Sequence, residues 1–408
     1  MYKTLAIALI LTLLSCSESS DKTTENKVFH VNIENFNTSI DLKLSDLIDS
    51  CWLVQLETTD KSVLGRYIDH VYISDKYLLI ADGTGIFKFS SDGKFIKKLI
   101  STGRGPDELS QTWNMYYSES KDLLLIDDYL KNKTHFLCYD VNSEAFMPSV
   151  KKFYSDRWGA FAILGDSLII GSLSPFNEVS NPYALFFQDF KGNFISGVRS
   201  KRAFITFQNK TDAFQKMLFY NGDKFFHVKY FLDDTIFNLI DNNLIPFLIS
   251  DYHSKLPEPP HILPVVGDRR NVYTEFESSG FMIFRNQAYM GNQELGFGAK
   301  ALYRNTYFLV DKSNGKNGRI RSYYDNFIGK TQNDESEEMT FPSFLPNNKL
   351  YVFYYPHELL QKIPDDLVNK RFSESVYKQL AKIKSNINET DNPILLIGKP
   401  KRSISIFK

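Results

Sequence analysis

The sequence predicts an all-β fold, a six-bladed β-propeller of four-stranded antiparallel blades whose ring is closed by strands from both ends of the chain. Three observations carry this expectation. Aromatic residues are 15% of the 408, with 34 Phe and 23 Tyr, and large flat side chains suit pleated strand surfaces. One unit of strand, short polar turn and strongly apolar strand recurs six times. Each of the first five copies is then followed by a second hairpin, which makes four strands and one blade.

The unit first reads as 68–73, turning at 74–76 into 77–81. Further copies turn near 120, 165, 222 and 279, and the sixth near 347. Steps of 45, 45, 57, 57 and 68 follow; the first two match a propeller blade and the later ones require insertions. The second hairpins turn at Ser91-Asp92-Gly93-Lys94, across 140–144, at Lys191-Gly192-Asn193, at Asp241-Asn242-Asn243 and across 313–315. Asp-Gly, Gly-Asn and Asn-Gly supply the positive φ of tight turns. The sixth unit lacks a second hairpin. A helical stretch replaces it, with Ser373 as the expected cap and Val376, Tyr377, Leu380 and Ile383 on one face. A last strand at 393–397 then needs an outer partner, and 52–56 from the other end supplies one, leaving no open edge between last and first blade.

The two ends bound the rest. Lys3 precedes an apolar run over 5–14, the length of a signal h-region and too short to span a bilayer. The run ends at Ser15-Cys16, which resembles a bacterial lipobox. Residues 1–15 are therefore expected to be a lipoprotein signal peptide and Cys16 the lipidation site. Residues 16–27 would be a lipidated flexible tether without apolar side chains, and 28–408 the propeller. Lys+Arg and Asp+Glu are equal at 48, and a neutral chain without a basic run argues against nucleic acid as partner. Cys51 and Cys138 fall in different repeats, although an exported location permits a bridge.

Several motifs together resemble the lipidated six-bladed β-propeller proteins of gut-type Gram-negative anaerobes. These are Gly103-Arg104-Gly105-Pro106-Asp107-Glu108, Asp234-Thr235-Ile236-Phe237 with Leu244-Ile245-Pro246, and Asp391-Asn392-Pro393-Ile394-Leu395-Leu396. Asp107 stands where that family more often has Gly. The resemblance implies a lipoprotein of the outer membrane facing periplasm or cell surface, and it transfers no catalytic residues.

Patterns of catalysis are missing from the sequence: there is no His-Glu-x-x-His, Gly-x-Ser-x-Gly, Cys-x-x-Cys or phosphate loop. No cofactor is implied. The seven histidines show no ligand spacing, and His70, His135 and His227 read as sheet residues. With the first strand of each blade innermost, the turns between first and second strands lie on one face. The second-to-third connections and the blade-to-blade connections lie on the other, where propellers usually bind. That face would carry Asp82, Asp127 and Asp234, with Arg66, Arg104, Trp113, Arg157 and Trp158 as ligand-binding candidates. Trp and Arg offer stacking and clamping of a sugar or acidic ligand, although Trp113 and Trp158 begin inner strands and equally suit packing between blades. Asp127 and Asp128 point to opposite faces, so a turn aspartate beside a solvated one is expected. The long loops 174–182 and 256–264 are lid candidates.

The function expected is binding or scaffolding, with a glycan, a peptide or an envelope protein as partner and the membrane reached only through the lipid. The rival is a carbohydrate-active hydrolase or lyase, whose two carboxylates would sit ~5–5.5 Å or ~6.5–9.5 Å apart.

Overall fold

The computed structural model describes residues 28–32, 38–112, 114–153, 161–164, 168–172, 183–199, 217–221, 226–230, 235–240, 243–251, 270–295, 298–333, 339–345, 347–362, 372–404 and 406–407. The expected signal peptide, Cys16 and the tether lie outside these residues, as do loops 174–182 and 256–264.

The chain opens with β1 (Phe29–Asn32), β2 (Ser39–Lys43), the single helical turn α1 (Leu44–Leu47) and β3 (Ile48–Gln55). Three meanders follow. The first sheet is β4 (Ile68–Ile73), β5 (Tyr77–Asp82), β6 (Gly85–Ser90) and β7 (Phe95–Ser101). The second is β8 (Met115–Ser118), β9 (Leu123–Ile126), β10 (His135–Asp140) and β11 (Ala145–Lys151). The third is β12 (Phe161–Leu164), β13 (Leu168–Ser172), β14 (Tyr183–Asp189) and β15 (Phe194–Arg199). The fourth contains β16 (Met217–Asn221), β17 (Phe226–Tyr230), β18 (Thr235–Ile240) and β19 (Asn243–Asp251). The fifth contains β20 (Arg270–Glu277), β21 (Phe281–Leu295), β22 (Gly298–Asp311), β23 (Asn317–Asp325) and β24 (Lys330–Asn333). Last come β25 (Ser343–Leu345), β26 (Lys349–Tyr354), α2 (Pro356–Lys362), α3 (Glu374–Lys384) and β27 (Ile394–Pro400).

The first three sheets are four-stranded antiparallel meanders in chain order, and each of the other three is such a meander extended or completed by a strand from the amino-terminal run, the arrangement of a β-propeller. The turns within them have reasons in the sequence. Ser74 Oγ accepts from Tyr77 N at 3.1 Å, and Ser278 Oγ accepts from Phe281 N at 3.2 Å, so two first hairpins share one serine-closed turn. In the second hairpins Asp140, Asp189 and Asp311 each accept the backbone N–H two residues on, at 2.8–2.9 Å. Gly93 at φ 92° is required twice over, because a Cβ there would lie 2.1 Å from Gln55 O.

Among the described residues, six clusters of buried side chains fill the seams. Tyr77, Leu79 and Tyr117 join sheets one and two, and Leu125, Phe136 and Phe161 join two and three. Leu185, Phe187 and Val228 join three and four, while Phe247, Phe284 and Phe308 join four and five. Ile283, Leu309 and Tyr354 join five and the last sheet. Val54, Ile80, Phe87 and Leu395 then join the last sheet to the first. Each fully buried side chain of this size contributes roughly 1.5–3 kcal/mol.

Closure occurs as the sequence indicates. β3 pairs antiparallel with β27, Trp52 opposite Ile397, Val54 opposite Leu395 and Gln55 opposite Ile394. Asn392, buried just before β27, fastens the two ends. Its Nδ2 donates to Glu57 O at 2.9 Å and Ser62 O at 2.8 Å, and its Oδ1 accepts from Leu64 N at 2.9 Å. Helix α3 lies against β3, where Gln379 Oε1 accepts from Leu53 N at 3.0 Å. Val376, Tyr377, Leu380 and Ile383 are its buried face, matching the expected spacing. Ser373 is at the N-cap but its side chain makes no capping bond.

Two expectations are corrected. Blades of uniformly four strands do not hold. β1 pairs parallel to β19, and β2 parallel to β23, so the amino-terminal run adds outer strands to the fourth and fifth sheets. Val31, Ile40 and Leu42 are buried in doing so, which is the physical reason these short segments bind there. The single helical insertion is two helices, α2 and α3, because residues 355–393 link the second and third strands of the last sheet. The fifth sheet is enlarged by β24 and by the long β21–β22 hairpin, whose register continues to Leu295 opposite Gly298.

Asn392→Ala leaves three backbone groups of residues 57–64 without their partner and should cost about 1–3 kcal/mol of stability. Chemical denaturation of the variant against the parent chain measures it; an unchanged midpoint would show that strand pairing alone closes the ring.

Candidate functional site

The innermost strands β4, β8, β12 and β25 converge at the ring axis, and a cavity of about 260 Å³ opens between their carboxyl-terminal ends. It therefore lies on the face of the first-to-second-strand turns, opposite to the face expected from sequence. Tyr72, Tyr116 and Tyr117 line it with Ile163 and Leu345, and Ser118, Glu119, Ser120 and Asn347 provide polar groups. Asn347 sits in the β25–β26 turn and ties three sheets together: its Nδ2 donates to Ile73 O at 2.6 Å and to Glu119 Oε2 at 3.1 Å. Asn347 Oδ1 is buried and has no hydrogen-bond partner among the described residues. Tyr72 Oη donates to Met115 O at 2.9 Å, and burial raises the Tyr72 pKa well above that of a free phenol.

On the opposite face two of the expected candidates, Asp82 and Asp127, are held by the fold. Asp82 Oδ2 accepts from Gly65 N at 2.6 Å, and Asp82 Oδ1 accepts from Thr84 N, Thr84 Oγ1 and Gly85 N at 2.7, 2.8 and 3.1 Å. This carboxylate builds the β5–β6 connection and anchors the entry to β4. Asp127 pairs with Lys152 in a site closed to solvent on both sides, and burial pushes its carboxyl pKa up against the effect of Lys152. The expectation of a turn aspartate beside a solvated one is corrected, since Asp128 is fully buried and accepts from Ser110 N at 2.8 Å and from Ser110 Oγ. Burial is possible because the inter-blade loop covers it.

That loop is the Gly103–Glu108 motif. Glu108 Oε2 turns back to accept from Gly105 N at 2.7 Å, and a Cβ at Gly103 would come within 2.0 Å of the same oxygen. Lys131 Nζ donates to Gly105 O and Glu108 O at 2.7 and 2.5 Å. Arg104 and Arg66 are exposed, the Arg66 guanidinium 5.6 Å from the Tyr67 ring centroid. Trp113, Arg157, Trp158 and Asp234 lie outside the described residues. The cavity residues Tyr72, Tyr116, Glu119 and Asn347 were not singled out by sequence; they come from three separate units, and the turns near 120 and 347, which place Glu119 and Asn347, were the legible signals.

The model of a domain of unknown function, DUF4934, matches residues 27–399. The chain belongs to that family. Among curated proteins none matches. This DUF4934 chain is similar to a crystal structure from Bacteroides fragilis provisionally described as an exported protein, at 14% identity and TM-score 0.60, over 92% of this chain and 99% of that one. A DUF4221 member from Bacteroides vulgatus is matched at 10% identity and TM-score 0.46, over 87% and 97% of the two chains. The first likeness shows the fold.

Two buried polar groups of the DUF4934 chain join neighbouring sheets. Asp122, in the β8–β9 turn at φ 49°, accepts from Lys76 Nζ at 2.9 Å, Asn142 Nδ2 at 2.7 Å, Tyr117 Oη at 2.7 Å and Tyr77 Oη. Burial opposes its ionisation, but Tyr77, Tyr117, Lys76 and Asn142 outweigh it and hold its carboxyl far below the usual range. Glu277 is paired with His227 and with Lys312, whose Nζ is 2.8 Å away. Against burial, His227 and Lys312 keep Glu277 below the usual carboxyl range. His70 stacks on Tyr72, and the His135 ring bonds Thr134 Oγ1 at 2.8 Å. Cys51 and Cys138 are free thiols, each pushed up to about 11 by burial.

A folded-state pKa depressed below the unfolded value of about 3.9 stabilises above that value and is lost as pH falls through the folded one. Asp122→Asn should therefore be less stable than the parent at pH 7 and lose less stability between pH ~5 and ~2. Denaturation midpoints across that range test it; parallel pH profiles would remove Asp122 from the account.

Proposed function

We propose that this chain is an exported, lipid-anchored binding protein built as a six-bladed ring, and that the turn-face cavity is its ligand seat. The carrying observation is the cavity itself, where four innermost strands bring tyrosines together with a buried, unpartnered Asn347 Oδ1. Concave, mostly apolar sites with a few polar groups are the usual form of ligand pockets. Six seams, the last joining sheet six to sheet one, support the six-bladed count. Export rests on Lys3, the apolar run 5–14 and Cys16, and the similar B. fragilis protein carries a description of export.

Binding is favoured over hydrolysis because the carboxylates of Asp82, Asp127 and Asp128 on the opposite face are all engaged by the fold. A second reading concerns the opposite face, where Tyr67 is 72% exposed and Leu130 63%, near exposed Arg66 and Arg104. Apolar groups rimmed by charge suit a peptide or envelope-protein partner, and Trp113, Arg157, Trp158 and Asp234 belong to this proposal.

Cys16→Ala should move the protein from the membrane to the soluble fraction; retention in the membrane would remove the anchor. Glycan and peptide arrays probed with the full chain in detergent should give hits that Ser120→Trp, which blocks the cavity mouth, abolishes. Because Ser120 is exposed, its replacement should change stability by no more than about 0.5 kcal/mol. Hits that survive the tryptophan would place binding on another surface.

A further inference from the structure

We infer that the turn-face cavity selects ligands bearing an ammonium group on a short apolar body; this rests on the cavity being the ligand seat. Charge is the first ground. Glu119 is the one ionised side chain among the described residues lining the cavity. Cations near the rim are directed elsewhere: Lys76 to Asp122 at 2.9 Å, Lys349 to Asp75 at 2.7 Å, and Lys121 over the Phe190 ring at 5.9 Å.

Hydrogen bonding is the second ground. Asn347 Nδ2 is engaged by Ile73 O and Glu119, Tyr72 Oη by Met115 O, and Tyr117 Oη by Asp122. The Ser118 and Ser120 hydroxyls bond each other at 3.3 Å, and the wall offers acceptors at the buried Asn347 Oδ1 and at the Glu119 carboxylate. An ammonium brings three donors and no acceptor, which answers both the unmet carbonyl and the charge. A carboxylate or phosphate ligand would meet like charge and no cationic side chain among the described residues lining the cavity. Tyrosines add the third ground, since aromatic faces attract cations within about 6 Å.

Size sets the body of the ligand. About 260 Å³ is the space of roughly nine waters at ~30 Å³ each, enough for an ammonium and a chain of several carbons against Ile163 and Leu345.

The test titrates the full chain with n-pentylammonium, n-pentanol and methyl glucoside, read by ligand-observed NMR. Pentylammonium should bind at least tenfold more tightly than pentanol. Glu119→Gln should weaken pentylammonium about tenfold and leave pentanol unchanged, as expected for one partly shielded charge pair. Ser120→Trp should abolish both. Pentanol or methyl glucoside binding as tightly as pentylammonium, or indifference to Glu119→Gln, overturns the ammonium inference while the cavity stands as ligand seat. Failure of every probe to respond to Ser120→Trp overturns the seat itself.

Discussion

Everything in this molecule depends on the ladder between β3 and β27. A propeller sheet cannot bury both faces alone; it needs a neighbour on each side, so an unclosed ring would leave two faces wet. Here the outer strand of the last sheet comes from the opposite end of the chain, with Gln55 opposite Ile394. That pairing completes the last sheet, whose Val54 and Leu395 pack against Ile80 and Phe87 of the first, and Asn392 adds directional bonds where the ends cross. Among the described strand pairings it is also the most distant in sequence, and loop entropy must be met before such a pairing is rewarded. The seams formed by neighbouring units can assemble locally; the final seam waits for the last residues.

Between sheets, polar contacts set alignment where apolar packing is tolerant. Asp122 meets Lys76 and Tyr77 of the first sheet, Glu277 meets His227 of the fourth, and Asn347 of the last sheet reaches Ile73 and Glu119 of the first and second. A sheet that slid along its neighbour would keep most of its hydrophobic contact but strand one of these groups, at a cost of about 1–3 kcal/mol for each buried group left unsatisfied. The cavity walls inherit their geometry from this alignment.

The parts of the fold that were legible in the sequence are those with local causes. Serines 74 and 278, the aspartates opening second hairpins and Gly93 all act within a few residues, and the helical face of α3 repeats at a regular interval. β1 and β2 were not legible. Each is four or five residues long, too short for alternation to stand out, and each binds parallel to a strand more than 200 positions away. The site was less readable still. Aspartate serves turns and ligands alike, and only coordinates show that the lone pairs of Asp82 and Asp127 are engaged. Tyr72, Glu119 and Asn347 are ordinary residues made into one surface by closure.

The parallel strands at the rim have a mechanical corollary. Tension entering at the amino-terminal end reaches β1 first and β2 next, on the outermost edges of two sheets, before it reaches the closure strand. These short outer strands can yield without opening the ring, so they stand between a pull at that end and the one ladder the fold cannot lose.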